Sequence, residues 1–436
     1  MLKLFDLSLK FSGFPMKEAN LEFDRTLAVP EHEYAGFIFS KQKEIVDFHL
    51  KHNPFYQQLY GKKVFENWED LPVLTKKELQ QPLQQRLAEG YTLKNTFVNK
   101  TSGSSGDPFI FAKDKFSHAI TWSSYFYRFG WFGIDFNHSY QARFYGIPLD
   151  AIGYRKERIK DYLSCRFRFP IFDLSDAFLK KILFHFKTKK FDYIDGYTSS
   201  IVLFAKFLKS KNIILKTICP TLKVCMVTSE MLFEEDKVLL EKQFGIPIVN
   251  EYGASELDLI AFQNPEGEWQ VNTETLYVEI LDADNRPVPN GQEGRIVITS
   301  LYNKAHPFIR YDIGDIGILD EKSTPKKMLL KTLVGRTNDI AVLPSGKKSP
   351  GLTFYYVTKS VIEDDGNVKE FIIRQLKTDT FEIDYVSDHV LTASQIQKIE
   401  QAIALYLEPG LLFIFNQKAS LERTSRGKLK QFQSLL

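Results

Sequence analysis

The sequence predicts an α/β protein with a large layered N-terminal domain and a small α+β C-terminal domain. In the middle of the chain, helical stretches alternate with short β-like runs at Asp192–Tyr197, Thr221–Thr228 and Ile246–Tyr252, a pattern typical of layered α/β domains. From Glu268 the pattern changes to that of a β meander. A third pattern begins after Gly335, which indicates a separate domain.

The first hundred residues are predicted to be helical. Charged residues are interspersed among apolar ones throughout this part of the chain, as expected for helices that are half exposed. Pro54, Pro72 and Pro82 mark the breaks between them, because proline disrupts a helix interior.

The meander is predicted from two β-like segments and the turn-rich stretch between them. Leu276–Leu281 and Arg295–Thr299 are rich in β-branched residues, and Asp282–Gly294 is rich in turn residues. This arrangement predicts two neighbouring strands joined by a loop.

The C-terminal part reads as strands over 370–386 followed by an amphipathic helix over 393–406. We therefore predict an N-terminal domain over residues 1–334 and a small C-terminal domain over 335–436. The connector between them is expected near residues 335–339.

Composition excludes several classes of protein. The chain has 436 residues, 44% of them hydrophobic, and its 57 Lys and Arg nearly balance its 54 Asp and Glu. This balance argues against nucleic acid as the main partner. The cysteines Cys165, Cys219 and Cys225 form neither a disulfide scaffold nor a CxxC zinc motif. We expect a cytoplasmic protein without a signal peptide or transmembrane segment; its oligomeric state is not predicted.

A basic, aromatic-rich stretch runs from Tyr154 to Phe191. One interpretation is a patch for an acidic carrier, a nucleotide-bearing thiol or an anionic membrane. The favoured interpretation is one or two surface helices whose apolar residues face the core.

The segment Thr101–Pro108, with the sequence TSGSSGDP, is predicted to handle phosphate. Glycine allows close approach of the backbone to a ligand, and successive N–H groups and hydroxyls can converge on anionic oxygens. It is not a Walker A loop, because Asp107 and Pro108 follow Gly106 where that motif needs Lys and Ser or Thr. The alternative is a flexible linker. The candidate loop residues are Thr101, Ser102, Gly103, Ser104, Ser105 and Gly106.

A second segment, Asn250–Glu256, follows a predicted strand, where α/β sheets bind ligands. Tyr252 can stack on a purine, Ser255 can reach a phosphate oxygen, and Glu256 offers the hard oxygen ligand that Mg²⁺ prefers. The alternative is a capped turn with a surface glutamate.

Three further residues complete the set of candidates. Asp315 lies in the segment Arg310–Gly317, and its carboxylate suits two vicinal ribose hydroxyls. Arg336 supplies a cation at the boundary between the two predicted domains, and Lys428 follows a glycine near the C-terminus.

In this order and spacing, the motifs resemble those of the adenylate-forming superfamily of acyl-CoA synthetases, firefly luciferase and adenylation domains. The matching segments lie at 101–108, 252–256, 311–315, 335–338 and 427–428.

Further segments are similar to the phenylacetate-CoA ligase branch of that superfamily. They are Pro54–Tyr56, Leu71–Lys76, Glu293–Leu301 and Phe308–Tyr311. Pro344–Pro350 resembles proteins from capsular polysaccharide gene clusters, so the resemblance covers nearly the whole chain.

The resemblance implies an ATP-dependent ligase that forms acyl-AMP, releases pyrophosphate and then acylates a thiol, with coenzyme A as the default acceptor. It implies that the loop holds the β and γ phosphates. Tyr252 with Gly253 packs against adenine, Ser255 contacts the α-phosphate and Glu256 binds Mg²⁺.

The other implied roles fall on the second half of the chain. Asp315 and Arg336 hold the ribose, and Lys428 bridges the substrate carboxylate and the α-phosphate. In relatives the small domain is a mobile lid that rotates between the half-reactions, and Asn338 stands at the hinge where they usually carry Asp or Lys.

The acid pocket is expected at Tyr145, Gly146, Ala254 and Leu257, and the acid itself is not identified. A carrier-protein thiol, an amine or an amino acid would use the same first half-reaction. A non-catalytic nucleotide-binding or acyl-binding scaffold is the alternative from another class.

Overall fold

The computed structural model describes residues 4–61, 66–101, 109–147, 151–171, 176–336, 340–350, 368–423 and 429–436. The chain divides into two compact units. The first comprises the chain to Ile313 together with Gly317–Thr332, and the second comprises Gly314–Ile316 together with Leu333–Leu436.

Helices dominate the beginning of the chain and alternate with the strands of the main sheet further along it. In the described residues they are α1 (Leu4–Phe11), α2 (Met16–Ala28), α3 (Glu31–His52), α4 (Pro54–Tyr60), α5 (Leu83–Arg86), α6 (Lys115–Gly130), α7 (Ala151–Leu163), α8 (Asp176–Thr188), α9 (Thr198–Ser210), α10 (Leu215–Ile218), α11 (Glu234–Phe244) and α12 (Ala393–Tyr406).

The strands form five sheets in the described part of the chain. They are β1 (Phe97–Lys100), β2 (Ile110–Lys113), β3 (Gln141–Phe144), β4 (Arg166–Phe169), β5 (Tyr193–Tyr197), β6 (Val224–Thr228), β7 (Ile248–Ala254), β8 (Asp258–Gln263), β9 (Trp269–Val271), β10 (Leu276–Leu281), β11 (Glu293–Ser300), β12 (Tyr311–Leu319), β13 (Leu330–Arg336), β14 (Ile340–Val342), β15 (Lys348–Pro350), β16 (Val368–Gln375), β17 (Thr380–Ser387), β18 (Leu412–Gln417) and β19 (Phe432–Ser434).

The main sheet of the first unit has seven strands in the order β4-β3-β5-β6-β7-β8-β9. Its neighbours from β4 to β7 run parallel, whereas β8 and β9 add to the edge in antiparallel fashion. The carboxyl ends of β3, β5, β6 and β7 therefore meet at one edge, where ligands bind in such sheets.

Both faces of this sheet are covered by apolar side chains. Ile194 and Cys225 face a core shared with α8, α9 and α11. Their strand neighbours Tyr193 and Val224 face the opposite side, with Phe129 of α6. Side chains alternate between the two faces of a strand, so both residue sets of these parallel strands are apolar because helices pack on both sides.

The proline breaks predicted in the first hundred residues coincide with helix starts. Pro54 begins α4, and the side chain of the preceding Asn53 accepts a hydrogen bond of 3.1 Å from the Tyr56 N–H. Pro82 directly precedes α5. Proline is favoured here because the first helical N–H groups have no intrahelical partner.

The meander is confirmed as an antiparallel pair. Residues 276–281 pair with residues 295–300 in continuous register, from Leu276 opposite Ser300 to Leu281 opposite Arg295. These strands belong to a four-stranded sheet of order β10-β11-β12-β13.

The second unit contains the predicted strands and helix. β16 and β17 form an antiparallel pair, and α12 spans the predicted 393–406. Thr392 and Gln395 form a reciprocal capping box at its start, which satisfies two backbone donors that a helix start leaves unpaired. The predicted α/β fold class is therefore confirmed.

The basic stretch contains two helices that behave differently. α8 buries Leu179, Ile182 and Phe186 in the core, as expected. The expectation is wrong for α7, which leaves Ile152 and Ile159 exposed, at 82% and 62% of their surface. None of the helices in the described ranges combines the length and apolar character that crossing a lipid bilayer requires.

Gly196 lies in β5 where the neighbouring strand approaches closely. A Cβ atom at this position would lie 2.5 Å from the Phe144 Cβ and 2.6 Å from its carbonyl oxygen. We expect Gly196→Ala to lower the free energy of unfolding by about 1–3 kcal/mol, because a packed core cannot absorb the added methyl group. Urea denaturation monitored by circular dichroism measures the difference.

Gly36→Ala is the matched control. Gly36 lies in α3, and an added Cβ would meet nothing within 4 Å, so this change should raise stability by about 0.5–1 kcal/mol. Equal stability of Gly196→Ala and the wild type would contradict the packing described here.

Candidate active site

A tight reversal at the end of β7 holds the second predicted motif. β7 ends at Ala254 and β8 begins at Asp258, with a register shift between Tyr252 and Gly253. A Cβ on Gly253 would lie 2.7 Å from the Asp258 carbonyl oxygen, so only glycine fits. Asp258 itself has a φ of 60°, which non-glycine residues rarely adopt.

Within this reversal, Ser255, Glu256 and Leu257 form the turn. The Leu257 N–H donates a hydrogen bond of 3.2 Å to the Ala254 carbonyl oxygen. Leu257 is buried, and this anchors the turn to the core and fixes the residues on either side of it.

Glu256 is a buried carboxylate, with 8% of its surface exposed. Its Oε1 accepts a hydrogen bond of 3.1 Å from the hydroxyl of Tyr311, which begins β12 and is itself buried. The tyrosine hydroxyl therefore fixes the direction of one carboxylate oxygen.

Arg310 determines where Tyr311 lies. Its side chain is fully buried and its φ is 44°. The guanidinium contacts the Glu279 carboxylate at 3.3 Å and donates to the carbonyl oxygens of Glu69 and Leu71 at 3.1 and 2.9 Å. A buried charge needs such partners, so this arginine ties three segments together beside the site.

An ion pair that the sequence did not predict lies next to Glu256. Lys113, at the end of β2, pairs with Asp258 and is 3% exposed. Thr121 of α6 donates a hydrogen bond of 2.9 Å to the same carboxylate, and the Lys113 ammonium also lies 3.5 Å from the Ser255 carbonyl oxygen. Lys113 thus links the β1–β2 hairpin to the β7–β8 turn.

These residues line a small open pocket in the first unit. Its lining consists of Lys113, Ser117, Ile120, Thr121, Glu256, Leu257, Asp258, Thr275, Leu276, Ser300 and Tyr302. Of the predicted residues, Glu256 and Leu257 therefore share one pocket wall.

The site fits Mg²⁺ that arrives with a nucleotide better than a metal held by protein alone. Among the described residues, no three His, Cys, Asp or Glu side chains are grouped as metal ligands. Mg²⁺ at a nucleotide needs only one or two carboxylates besides phosphate oxygens and water. Glu256, buried and oriented by Tyr311, is such a carboxylate.

Thr101 closes the base of the predicted phosphate loop. Its N–H donates to the Phe109 carbonyl oxygen at 2.9 Å, and its Oγ1 accepts from the Phe109 N–H at 3.0 Å. The remaining loop candidates, Ser102, Gly103, Ser104, Ser105 and Gly106, lie outside the described residues.

Tyr252 is 7% exposed, and its ring meets that of Trp269 edge to face at 6.2 Å between centroids. Its position on β7 places it next to the turn. The contact with adenine stays a prediction.

The remaining nucleotide candidates belong to the second unit. Asp315 is buried on β12, and Arg336 is the last residue of β13. Asn338 and Lys428 lie outside the described residues, so the hinge and the catalytic lysine stay predictions.

Tyr145 and Gly146 follow β3, and each contacts an arginine. The Arg143 guanidinium lies 4.1 Å from the centroid of the Tyr145 ring, and Tyr145 contacts Tyr197 at 4.4 Å between centroids. The Gly146 carbonyl oxygen accepts a hydrogen bond of 3.1 Å from Arg168. This corner is therefore strongly polar.

Two carboxylates face the same side of the sheet as Arg143. Asp195 of β5 accepts a hydrogen bond of 2.8 Å from the side chain of Gln141, and Glu251 of β7 accepts one of 3.2 Å from Thr228. Burial, together with the charge of Asp195, raises the pKa of Glu251 to about 8. Burial also raises the pKa of Asp195, although Arg143 opposes the rise.

Little in the sequence indicates a role for these residues. Lys113 is the last residue of an apolar strand, and Glu251 lies within the segment Asn250–Glu256, whose predicted ligand residues are Tyr252, Ser255 and Glu256. Asp195 lies in a β-like run, where a charged residue between apolar neighbours signals a functional or paired group.

Comparison with known proteins confirms the fold. No known family profile matches the chain. In solved structures, it is similar to 2-hydroxyisobutyryl-CoA ligase in the postadenylation state in complex with R3-HIB-AMP, with a TM-score of 0.71 and 17% identity over 92% of this chain and 90% of that one.

Two curated proteins are similar in sequence. Protein CapK of Staphylococcus aureus is 25% identical over 321 residues, which are 68% of this chain and 66% of that protein. Phenylacetate-coenzyme A ligase of Aromatoleum evansii is 28% identical over 131 residues, 28% of this chain and 29% of that protein. The matches thus span less than two thirds of either relative. They confirm the resemblance to the adenylate-forming superfamily, its phenylacetate-CoA ligase branch and the capsular type within it.

The raised pKa of Glu251 predicts a dependence of stability on pH. An unfolded chain loses this proton near the ordinary pKa of 4.5, whereas the folded chain retains it to about 8. Between these values the folded state binds more protons, so its stability falls as the pH rises. Glu251→Gln cannot titrate and should therefore gain stability relative to the wild type between pH 5 and pH 8, by at least about 1 kcal/mol in total.

Urea midpoints of both proteins at pH 5, 6, 7 and 8 measure this difference. Both proteins contain the groups that face Glu251, which are Arg143, Thr228 and Asp195. Their contribution is therefore present on both sides of the comparison. A difference in stability that does not change with pH would contradict the assignment.

Proposed function

We propose that this chain is an ATP-dependent, AMP-forming ligase that activates a carboxylic acid as acyl-AMP and then transfers the acyl group to a thiol, with coenzyme A as the expected acceptor. The observation that carries the proposal is the Tyr252–Glu256 reversal, whose buried Glu256 is oriented by Tyr311 at the carboxyl edge of the main sheet. The fold shared with a ligase solved with R3-HIB-AMP supports it.

The first half-reaction needs positioning more than covalent help from the protein. A carboxylate oxygen of the acid attacks the α-phosphorus of ATP, the bond to the bridging oxygen breaks, and pyrophosphate leaves. Both reactants are anionic, so the protein must hold them together and offset the developing charge.

In this proposal the first unit holds the phosphates and the base. Glu256 would hold Mg²⁺, which, when bound, neutralises charge on the nucleotide phosphates. Ser255 would contact the α-phosphate, Tyr252 with Gly253 would pack against adenine, and the loop based on Thr101 would hold the β and γ phosphates.

The second unit supplies the remaining contacts. Asp315 would accept hydrogen bonds from the ribose hydroxyls, with Arg336 beside it. Lys428 would place its ammonium between the acid carboxylate and the α-phosphate, where a compact charge is most effective.

The second half-reaction transfers the acyl group. The acceptor sulfur attacks the acyl carbonyl carbon, AMP leaves with the phosphate oxygen, and the thiol proton is released. We propose that residues 335–436 act as a lid that turns at 335–339, with Asn338 as the pivot, between the two half-reactions. Asparagine tolerates unusual backbone angles, as a pivot requires.

Exchange of radiolabelled pyrophosphate into ATP tests the proposal directly. With a panel of aryl, aliphatic, hydroxy and amino acids, we expect exchange that depends on the acid and on Mg²⁺, and a hydroxamate when hydroxylamine is added. Addition of coenzyme A should then give a thioester detectable by mass. Absence of exchange with every acid would favour the non-catalytic scaffold, and exchange without a thioester would point to an amine or a carrier protein.

Lys428→Ala should slow adenylation by about a thousandfold or more while changing ATP affinity only a few fold, because this ammonium acts mainly on developing charge. Rapid-quench measurement of pyrophosphate release gives the rate, and equilibrium binding gives the affinity. Lys398→Ala, on the exposed side of α12, is the control and should behave as the wild type. An unchanged rate of release in Lys428→Ala would refute the role of the lysine.

A further inference from the structure

The face of the main sheet that packs against α6 changes character along its strands. Near the strand starts it is apolar, where Val224 and Val249 pack with Phe129 of α6. Near the carboxyl ends of the strands the same face carries charged and hydroxyl groups. They are Arg143, Asp195, Thr228 and Glu251, and we refer to them as the polar floor.

Strand register brings the members of the polar floor together. Arg143 lies opposite Asp195 on the neighbouring strand, and Thr228 lies opposite Glu251. The Tyr145 ring packs under the Arg143 guanidinium. Between these pairs, Asp195 lies opposite Met226 and Thr228 lies opposite Tyr197. Four strands thus contribute two polar pairs that are offset by two residues on one face.

The polar floor is accessible in part. Arg143, Glu251 and Tyr125 of α6 each keep part of their surface exposed, whereas Asp195 and Thr228 are buried. A ligand that reaches the floor therefore meets Arg143 and Glu251 first.

Charges on the neighbouring elements are already paired. Lys113 pairs with Asp258. On the other side, Arg166 and Arg168 contact Asp161 at 3.6 and 2.8 Å, and Arg168 also contacts Glu157 at 2.8 Å.

The carboxyl groups of the polar floor keep unused acceptor positions. Asp195 accepts a hydrogen bond from Gln141 and Glu251 accepts one from Thr228, although a carboxyl group can accept several. The Arg143 Nε has no hydrogen-bond partner among the described residues. An apolar ligand would therefore leave desolvated polar groups unsatisfied.

We propose that the acid activated by this chain is polar, and that a hydroxyl or amino group on its acyl part donates hydrogen bonds to the carboxyl groups of Glu251 and Asp195. This inference rests on the proposed function and specifies its substrate class. Binding of a plain fatty or aryl acid would displace water from the polar floor without providing hydrogen bonds in its place.

The inference refines the predicted acid pocket. Tyr145 borders the polar floor through its contact with Arg143. Leu257 lies instead in the wall of the pocket beside Glu256. The recognition of the acyl part is therefore assigned to residues of β3, β5 and β7 for which the sequence analysis predicts no role.

Matched sets of acids test the proposal in the wild-type protein. Each set holds a plain acid with its hydroxy and amino counterparts: propanoate, lactate and alanine; butanoate, 3-hydroxybutanoate and 3-aminobutanoate; benzoate, 4-hydroxybenzoate and 4-aminobenzoate. In at least one set, kcat/KM for pyrophosphate exchange should be tenfold or more higher for a substituted member, as expected for a hydrogen bond to a charged group. Comparison of the hydroxy and the amino member of each set shows which of the two donor groups is preferred.

Two variants test which residues cause the preference for the substituted acid. Glu251→Gln and Asp195→Asn keep the side-chain shape and should each reduce the ratio between substituted and plain acid by about tenfold. Glu266→Gln, at an exposed position, should leave the ratio unchanged. A preference for the plain acid in every set, or a ratio that both variants leave intact, would overturn the proposal.

A failure of the proposed function can be distinguished from a failure of this inference. If no acid supports exchange, the function fails, and calorimetric titration of the same matched acids into the wild-type protein with Mg²⁺ and a non-hydrolysable ATP analogue still tests the inference. Tighter binding of a substituted acid would support the polar floor as its site, and equal or weaker binding in every set would refute it. If a variant does not fold, as judged by circular dichroism, the wild-type comparison decides.

Discussion

The candidate site depends on one buried arginine. The Arg310 guanidinium has no solvent around it, so its charge is compensated by Glu279 and by carbonyl oxygens of the chain near Leu71. The Leu74 N–H in turn donates to the Arg310 carbonyl oxygen at 2.9 Å. These contacts fix the first residue of β12, Tyr311, whose hydroxyl orients Glu256. The buried Arg310 is thus connected to Glu256 through a series of directional hydrogen bonds rather than through apolar packing alone.

Much of the fold follows from local sequence. The parallel strands of the main sheet are short apolar runs between helices, and α12 and β10 begin and end where periodicity and turn residues predict. These signals lie within single segments of the chain. The exposed apolar residues of α7 were assigned to the core because sequence alone does not distinguish an apolar side chain on the surface from one inside.

The site was predictable only where its residues are consecutive. The Tyr252–Glu256 segment was recognised as a unit, and its glycine is required by the close approach of the Asp258 carbonyl oxygen. The polar floor was missed because its members come from four strands, each contributing one residue among apolar neighbours. Lys113 and Asp258 are 145 positions apart in the chain, and only the packing of α6 and β2 against the turn brings them together.

Adjacent residues of β7 are assigned to different ligands, since the alternation of a strand directs Glu251 toward α6 and Tyr252 toward the opposite face. Loss or gain of one residue in β7 before Glu251 would exchange the two faces. Such a change would disturb both the recognition of the acid and the binding of the nucleotide. In proteins that descend from this one, selection should therefore conserve the length of β7, while the side chain at position 251 changes.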